Sequence, residues 1–202
     1  MNKCRLRIKE CEDSNGYTIY FDCIGLDKDY YSKIKDIIRR FATGDKIFFG
    51  HYKTDGMNIP IEVFKKYETE IPEYFKNNGR YEKIIKGEEK RFLFISSPPL
   101  EFTVCNAPLN NETFEIMEKI FHYYLETTVF CPKIDWKTFV SEYSNYMSNG
   151  SRDYVAKGYT DFLFSYVDSG DFSITFDSKM HDPLTVKNDI FKILELDKDS
   201  NL

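Results

Sequence analysis

The sequence predicts an α+β fold: a mainly antiparallel sheet built from hairpins, with four or five packed amphipathic helices, in one domain spanning residues 1–202. Three observations carry this reading. The 202 residues are 42% hydrophobic and 17% aromatic, which suffices for a sizeable core. Helical stripes and period-two strands follow one another irregularly, without the regular βα repeat of a parallel sheet. Hairpin turn signals, Asn15-Gly16 and Ser169-Gly170, sit between paired strand patterns.

Taken in order, RLRIKEC and YTIYFDC alternate apolar and polar residues on either side of Asn15-Gly16, so strands are expected near 3–11 and 17–24. Asp29 then precedes a stripe of Tyr31, Ile34, Ile37, Ile38 and Phe41 at helical spacing, with Gly44 as a stop. KIFFGHY reads as a short strand. PIEVFKKYETEIPEYFKNNG reads as one or two helical pieces, since Pro60 suits a first turn and Pro72 is expected to break or kink an interior. EKRFLFISSPPLEFTVCNAP offers two β-rich runs separated by Ser96-Ser97-Pro98-Pro99.

A second long helix is expected from Asn111 to Glu126, with Phe114, Met117, Ile120, Phe121, Tyr124 and Leu125 on one face and acids at its start, where the helix dipole favours them. A third is capped by Asp135, carries Trp136, Phe139, Val140, Tyr143 and Met147, and ends at Asn149-Gly150. Both stripes are read as core. In the hairpin DFLFSYVDSGDFSITFD, Phe162, Phe164 and Tyr166 are expected on one face and Phe172, Ile174 and Phe176 on another. Pro183 starts a last helix bearing Val186, Ile190, Phe191, Ile193 and Leu194.

The chemistry-bearing patterns are sparse. No phosphate loop, GxGxxG, GxSxG or HExxH is present, so neither catalytic residues nor a cofactor are expected. His51, His122 and His181 lack the spacing of a metal site, and the aspartates of the final hairpin lack DxDxDG spacing, so no metal is expected either. Glu88-Glu89-Lys90 has the acid-x-Lys form used by metal-dependent nucleases, but it precedes the strand RFLFI rather than lying in it and reads as a solvated turn. Five cysteines, Cys4, Cys11, Cys23, Cys105 and Cys131, form an odd set without CxxC spacing, which indicates reduced thiols. The N-terminal MNKCRLRIKECED has no apolar core of a secretory signal, and no apolar run approaches the roughly 20 residues of a membrane helix, so the expected location is the cytoplasm with no membrane partner.

Charge is distributed unevenly. Residues 1–160 hold 24 acids and 24 bases, whereas residues 161–202 hold nine acids and four bases and so carry the whole net charge of −5. The basic residues are interspersed with acids throughout, and the acidic tail repels phosphate, so nucleic acid is not an expected partner. A localized acidic surface suits a basic protein.

The segment SYVDSGDFSITFD, aspartate-rich and aromatic within a small acidic α+β chain, resembles in type the immunity proteins of bacterial toxin systems, including contact-dependent growth inhibition. The resemblance implies stoichiometric neutralisation of one cognate protein toxin. It would make Asp161, Asp168, Asp171 and Asp177 the partner-binding charges, with Tyr154, Tyr159 and Tyr166 as aromatic anchors. The rival readings are a motif-free enzyme, such as a metal-dependent nuclease or hydrolase, and a phage or scaffold accessory protein that self-associates.

Overall fold

The computed structural model describes residues 7–22, 29–52, 61–86, 90–92, 95–97, 100–123, 126–149, 153–167 and 171–195. Arg7–Asp13 (β1) and Gly16–Asp22 (β2) form the expected hairpin, with Asp13 opposite Gly16. Its two-residue turn is therefore Ser14-Asn15, one step earlier than the sequence reading, and Asp13 Oδ1 accepts from the Asn15 amide at 2.7 Å. Helix α1 (Asp29–Phe41) buries Ile34, Ile37, Ile38 and Phe41, as its stripe predicts, and leads to β3 (Lys46–Tyr52).

Helix α2 (Ile61–Asn78) runs as one span through Pro72. The amide bond lost at Pro72 is offset by Ile71, Tyr74 and Phe75, all buried beside it. Strand β4 (Arg80–Lys86) follows, then a two-stranded ribbon of β5 (Lys90–Phe92) and β6 (Ile95–Ser97), then the long β7 (Leu100–Pro108). Helix α3 (Asn111–Tyr123) stops short of Glu126, because Glu126–Phe130 is a strand, β8. Helix α4 (Trp136–Asn149), β9 (Phe162–Val167), β10 (Asp171–Phe176) and α5 (Pro183–Ile193) complete the order.

Eight strands make one sheet in the order β1-β2-β10-β9-β8-β3-β7-β4, with every neighbouring pair antiparallel, so the α+β class holds. The C-terminal hairpin lies in the middle of this sheet, with β10 on β2 and β9 on β8. Its faces differ from the sequence reading. Phe172 stands opposite Tyr166, Ile174 opposite Phe164 and Phe176 opposite Phe162, and directly opposed residues point to the same side. All six side chains are buried in one cluster under α1, α2, α3 and α5.

The other side of the sheet is covered over its β7-β3-β8-β9 part by α4 and the turn at 154–158. There Trp136, Phe139, Tyr143, Tyr154 and Val155 pack on Phe48, Phe102, Phe130 and Leu163. Gly50 lets α4 approach, since a Cβ there would lie 2.1 Å from the Tyr143 ring. Asp135 caps α4 as expected: its carboxylate accepts from the Thr138 amide at 3.0 Å and the Thr138 hydroxyl at 2.9 Å. No helix is long and apolar enough to cross a membrane among the described residues.

Candidate functional site

The strand register brings two groups of chemistry-bearing side chains to the same end of the sheet. The first is a cleft of about 400 Å3. Its floor is a row across three strands, because Phe48 of β3 stands opposite Asn106 of β7, which stands opposite Arg80 of β4. Gly79, at the end of α2, allows β4 to start against β7: a Cβ there would meet the Asn106 carbonyl oxygen at 2.0 Å. The cleft wall is Trp136, the first residue of α4, edge-on to Phe48 at 5.5 Å between centroids. Trp136 is held in place by its indole N–H, which donates to Glu82 Oε1 at 2.7 Å. Arg80 lays its guanidinium over the Trp136 ring, 5.9 Å from the centroid.

Lys46, the first residue of β3, closes the cleft together with Asp45 and Gly44 of the loop before it, and Pro132, Ile134 and Asp135 close it from the loop after β8. Among the described residues neither Arg80 nor Lys46 has a carboxylate at ion-pair distance. Asp135, by contrast, is engaged: the Thr138 amide and hydroxyl hold its carboxyl below the usual range. Burial pushes the thiol of nearby Cys131 up, and a backbone hydrogen bond from Thr43 partly opposes this.

The second group is acidic. Asp13 ends β1 opposite Gly16 of β2, Asp177 follows Phe176 of β10, and Asp161 precedes Phe162 of β9, so the three lie at one end of the neighbouring strands β1-β2-β10-β9, on three of those four. At roughly 4.8 Å per strand the row from Asp13 to Asp161 spans about 15 Å. Glu12 joins it, accepting from the Ser178 hydroxyl at 2.6 Å. Asp161 is paired with Lys133 at 2.5 Å, both groups remaining partly exposed. Asp177 Oδ1 accepts from the Lys179 amide at 2.8 Å, which shapes the turn after β10.

The sequence-derived partner residues thus divide. Asp161 and Asp177 come together. Asp171 begins β10 at the opposite end of the hairpin, six strand residues or roughly 17–20 Å away, and Asp168 lies outside the described residues. The hairpin is therefore not one acidic face. Tyr154 and Tyr166 are 1% and 6% exposed, so they are core residues rather than surface anchors. Tyr154 packs on Phe130, and Tyr166 on Phe121. Tyr159 is half-buried, with Lys157 over its ring.

Asp13 and Glu12 escape a sequence reading because their approach to Asp177 depends on β2 pairing with β10, some 150 residues away in the chain. Arg80 and Lys46 carry no motif; their signal is position, each opening a strand. His51 is buried in β3, and His181 packs on Phe162 at 4.4 Å. Lys90 sits in the β5-β6 ribbon, while Glu88 and Glu89 lie outside the described residues, as do Cys4 and Cys23. Among the described residues no three His, Cys, Asp or Glu side chains are grouped to hold a metal ion. No protein-family model matches the chain, and no curated protein or solved structure matches it either.

Proposed function

We propose that this chain is a binding protein of the bacterial cytoplasm that neutralises a basic protein toxin, an immunity protein in type. The observation that carries this reading is the acidic row at one end of the β1-β2-β10-β9 strands, Asp13, Asp177 and Asp161 on three of the four with Glu12 beside them. Charge that is confined to the C-terminal region in the sequence is joined in space by the acids of the N-terminal hairpin. A rigid sheet end with fixed carboxylates favours steering of a cationic surface, because charge complementarity acts mainly on the association rate. The partner surface is accordingly Asp13, Glu12, Asp161 and Asp177, and the aromatic anchors, if the partner uses them, are other than Tyr154 and Tyr166.

The test needs a candidate toxin, which a neighbouring gene for a large secreted protein with a toxic C-terminal domain would supply. Asp13, Asp161 and Asp177 are changed together to Asn, and association rates are measured over a series of salt concentrations. The triple variant is expected to associate at least tenfold more slowly at low salt and to show a flatter salt dependence. Folding should be retained, since exposed ion pairs such as Asp161–Lys133 contribute about 0–1 kcal/mol. Equal association rates for the two proteins at low salt would move the toxin surface elsewhere.

A further inference from the structure

We infer that the connection between β10 and α5 supplies the apolar anchor of the toxin surface, Met180 with Leu184, a step that rests on the acidic row being that surface. Among the described residues three large apolar side chains are exposed, and the two most exposed are Met180 at 71% and Leu184 at 66%. Both belong to the segment that starts at Asp177 of the row. Single exposed apolar side chains are ordinary on a protein surface. Place and rigidity set this pair apart.

The connection lies across the row. Ser178 donates its hydroxyl to Glu12 of β1 at 2.6 Å, and the His181 ring packs on Phe162, next to Asp161 at the start of β9, at 4.4 Å between centroids. Met180 therefore stands between two residues tied to the acidic end of the sheet. Its amide and that of His181 both donate to the Asp177 carbonyl, at 3.1 and 3.0 Å. Asp182 then caps α5 by accepting from the Thr185 amide at 3.0 Å and the Thr185 hydroxyl at 2.6 Å, and Pro183 restricts the first helical residue. Helix α5 turns Val186 and Ile190 into the core. Leu184, two residues and about 200° before Val186, is directed away from it.

The fold thus holds two apolar side chains in water on a backbone that is already fixed, so a partner covering them has little ordering entropy to overcome. Residues 177–184 contain two acids, Asp177 and Asp182, against one base, Lys179, and the row adds Glu12, Asp13 and Asp161. The occupant that fits is a basic amphipathic segment of a protein, its cations on the carboxylates and its apolar side chains on Met180 and Leu184. Methionine suits this role, since its unbranched chain adapts to the shape that covers it.

Two peptides probe the full chain at low salt: an amphipathic helix of lysine and leucine, and its counterpart with every leucine replaced by serine. The Met180 methyl NMR signal, identified by its loss in Met180→Ser, should shift as the first peptide saturates. The parent should bind the lysine-leucine peptide about tenfold or more tighter than the lysine-serine one. Combining Met180→Ser with Leu184→Ser should cut that advantage to about threefold or less, with lysine-serine binding and the unfolding midpoint unchanged, because both side chains are exposed. An advantage that survives in this double variant overturns the anchor, as does the absence of saturable lysine-leucine binding at about 1 mM. The row fails separately: changing Asp13, Asp161 and Asp177 together to Asn should weaken both peptides, and unaltered lysine-serine binding in that variant refutes the row as a cation surface.

Discussion

Mild acid should destabilise this fold through one histidine. His51 stands in β3 opposite Thr103 of β7 and Thr127 of β8, fully enclosed beneath the helices. Burial, assisted by the charge of Lys83 on β4, lowers its imidazole from 6.5 to about 3. The unfolded chain therefore takes up a proton near pH 6.5, and the folded chain only near pH 3. Between these values unfolding binds a proton, so stability rises with pH: the contribution is complete above the unfolded value and is lost as pH falls below it. From pH 7 to pH 5 the loss works out at about 2 kcal/mol. This figure depends almost wholly on the unfolded value, because pH 5 lies well above the folded one. Glu10, held down by Lys187 and Tyr17, and Glu70, held down by Lys119, lose their contributions mainly below the ordinary carboxylate range, outside this window. Urea unfolding at pH 5, 6 and 7, followed by Trp136 emission, measures the loss. His51→Gln should keep less than half of the parent's pH dependence; if it loses the same ~2 kcal/mol between pH 7 and pH 5, the buried imidazole is not the group responsible.

Gly50→Ala should destabilise the protein by about 3 kcal/mol or more in urea, since its Cβ would stand 2.1 Å from the Tyr143 ring. In a Tyr143→Ala background the same change should cost less than half as much, and full additivity in that double-mutant cycle would contradict the close approach of α4 to β3. Phe121→Ala should cost on the order of 3–5 kcal/mol, because the ring is buried between α3 and the sheet; a loss below about 1 kcal/mol in chemical denaturation would place it outside the core.

What the sequence made legible was local. The stripes of α1, α3, α4 and α5 and the two hairpins are written in spacings of a few residues, and Ile38, Phe121 and Trp136 are buried as those spacings require. Strand β8 was hidden because Tyr124 and Leu125 continue the helical spacing of Met117, Ile120 and Phe121, although Thr127, Thr128 and Val129 are β-branched and favour a strand. Strand β4, RYEKIIK, mixes charges of both signs, as an outer strand does, and so has no clean apolar alternation. The shared face of β9 and β10 is a matter of register, which opposes Phe172 to Tyr166, and periodicity along each strand alone does not fix it. The burial of Tyr154 and Tyr166 is illegible in sequence for the same reason: which aromatic rings are covered depends on helices and turns distant in the chain.

The sheet order also explains why the two candidate sites stand apart. Its β1-β2-β10-β9 half is made from the first and last strands of the chain, and its β8-β3-β7-β4 half from the middle. The excess acid of the C-terminal region is thereby set beside the N-terminal hairpin, while Lys46 and Arg80 fall in the other half. From β9 to β4 are four strand spacings, about 19 Å, so Asp161 and Arg80 share no partner and lie about two Debye lengths apart at physiological salt. Their substitutions should act additively on stability, within about 0.5 kcal/mol, when Asp161→Asn and Arg80→Gln are combined. A larger coupling would mean that the cleft and the acidic row form a single electrostatic unit, and a partner would then have to satisfy both at once.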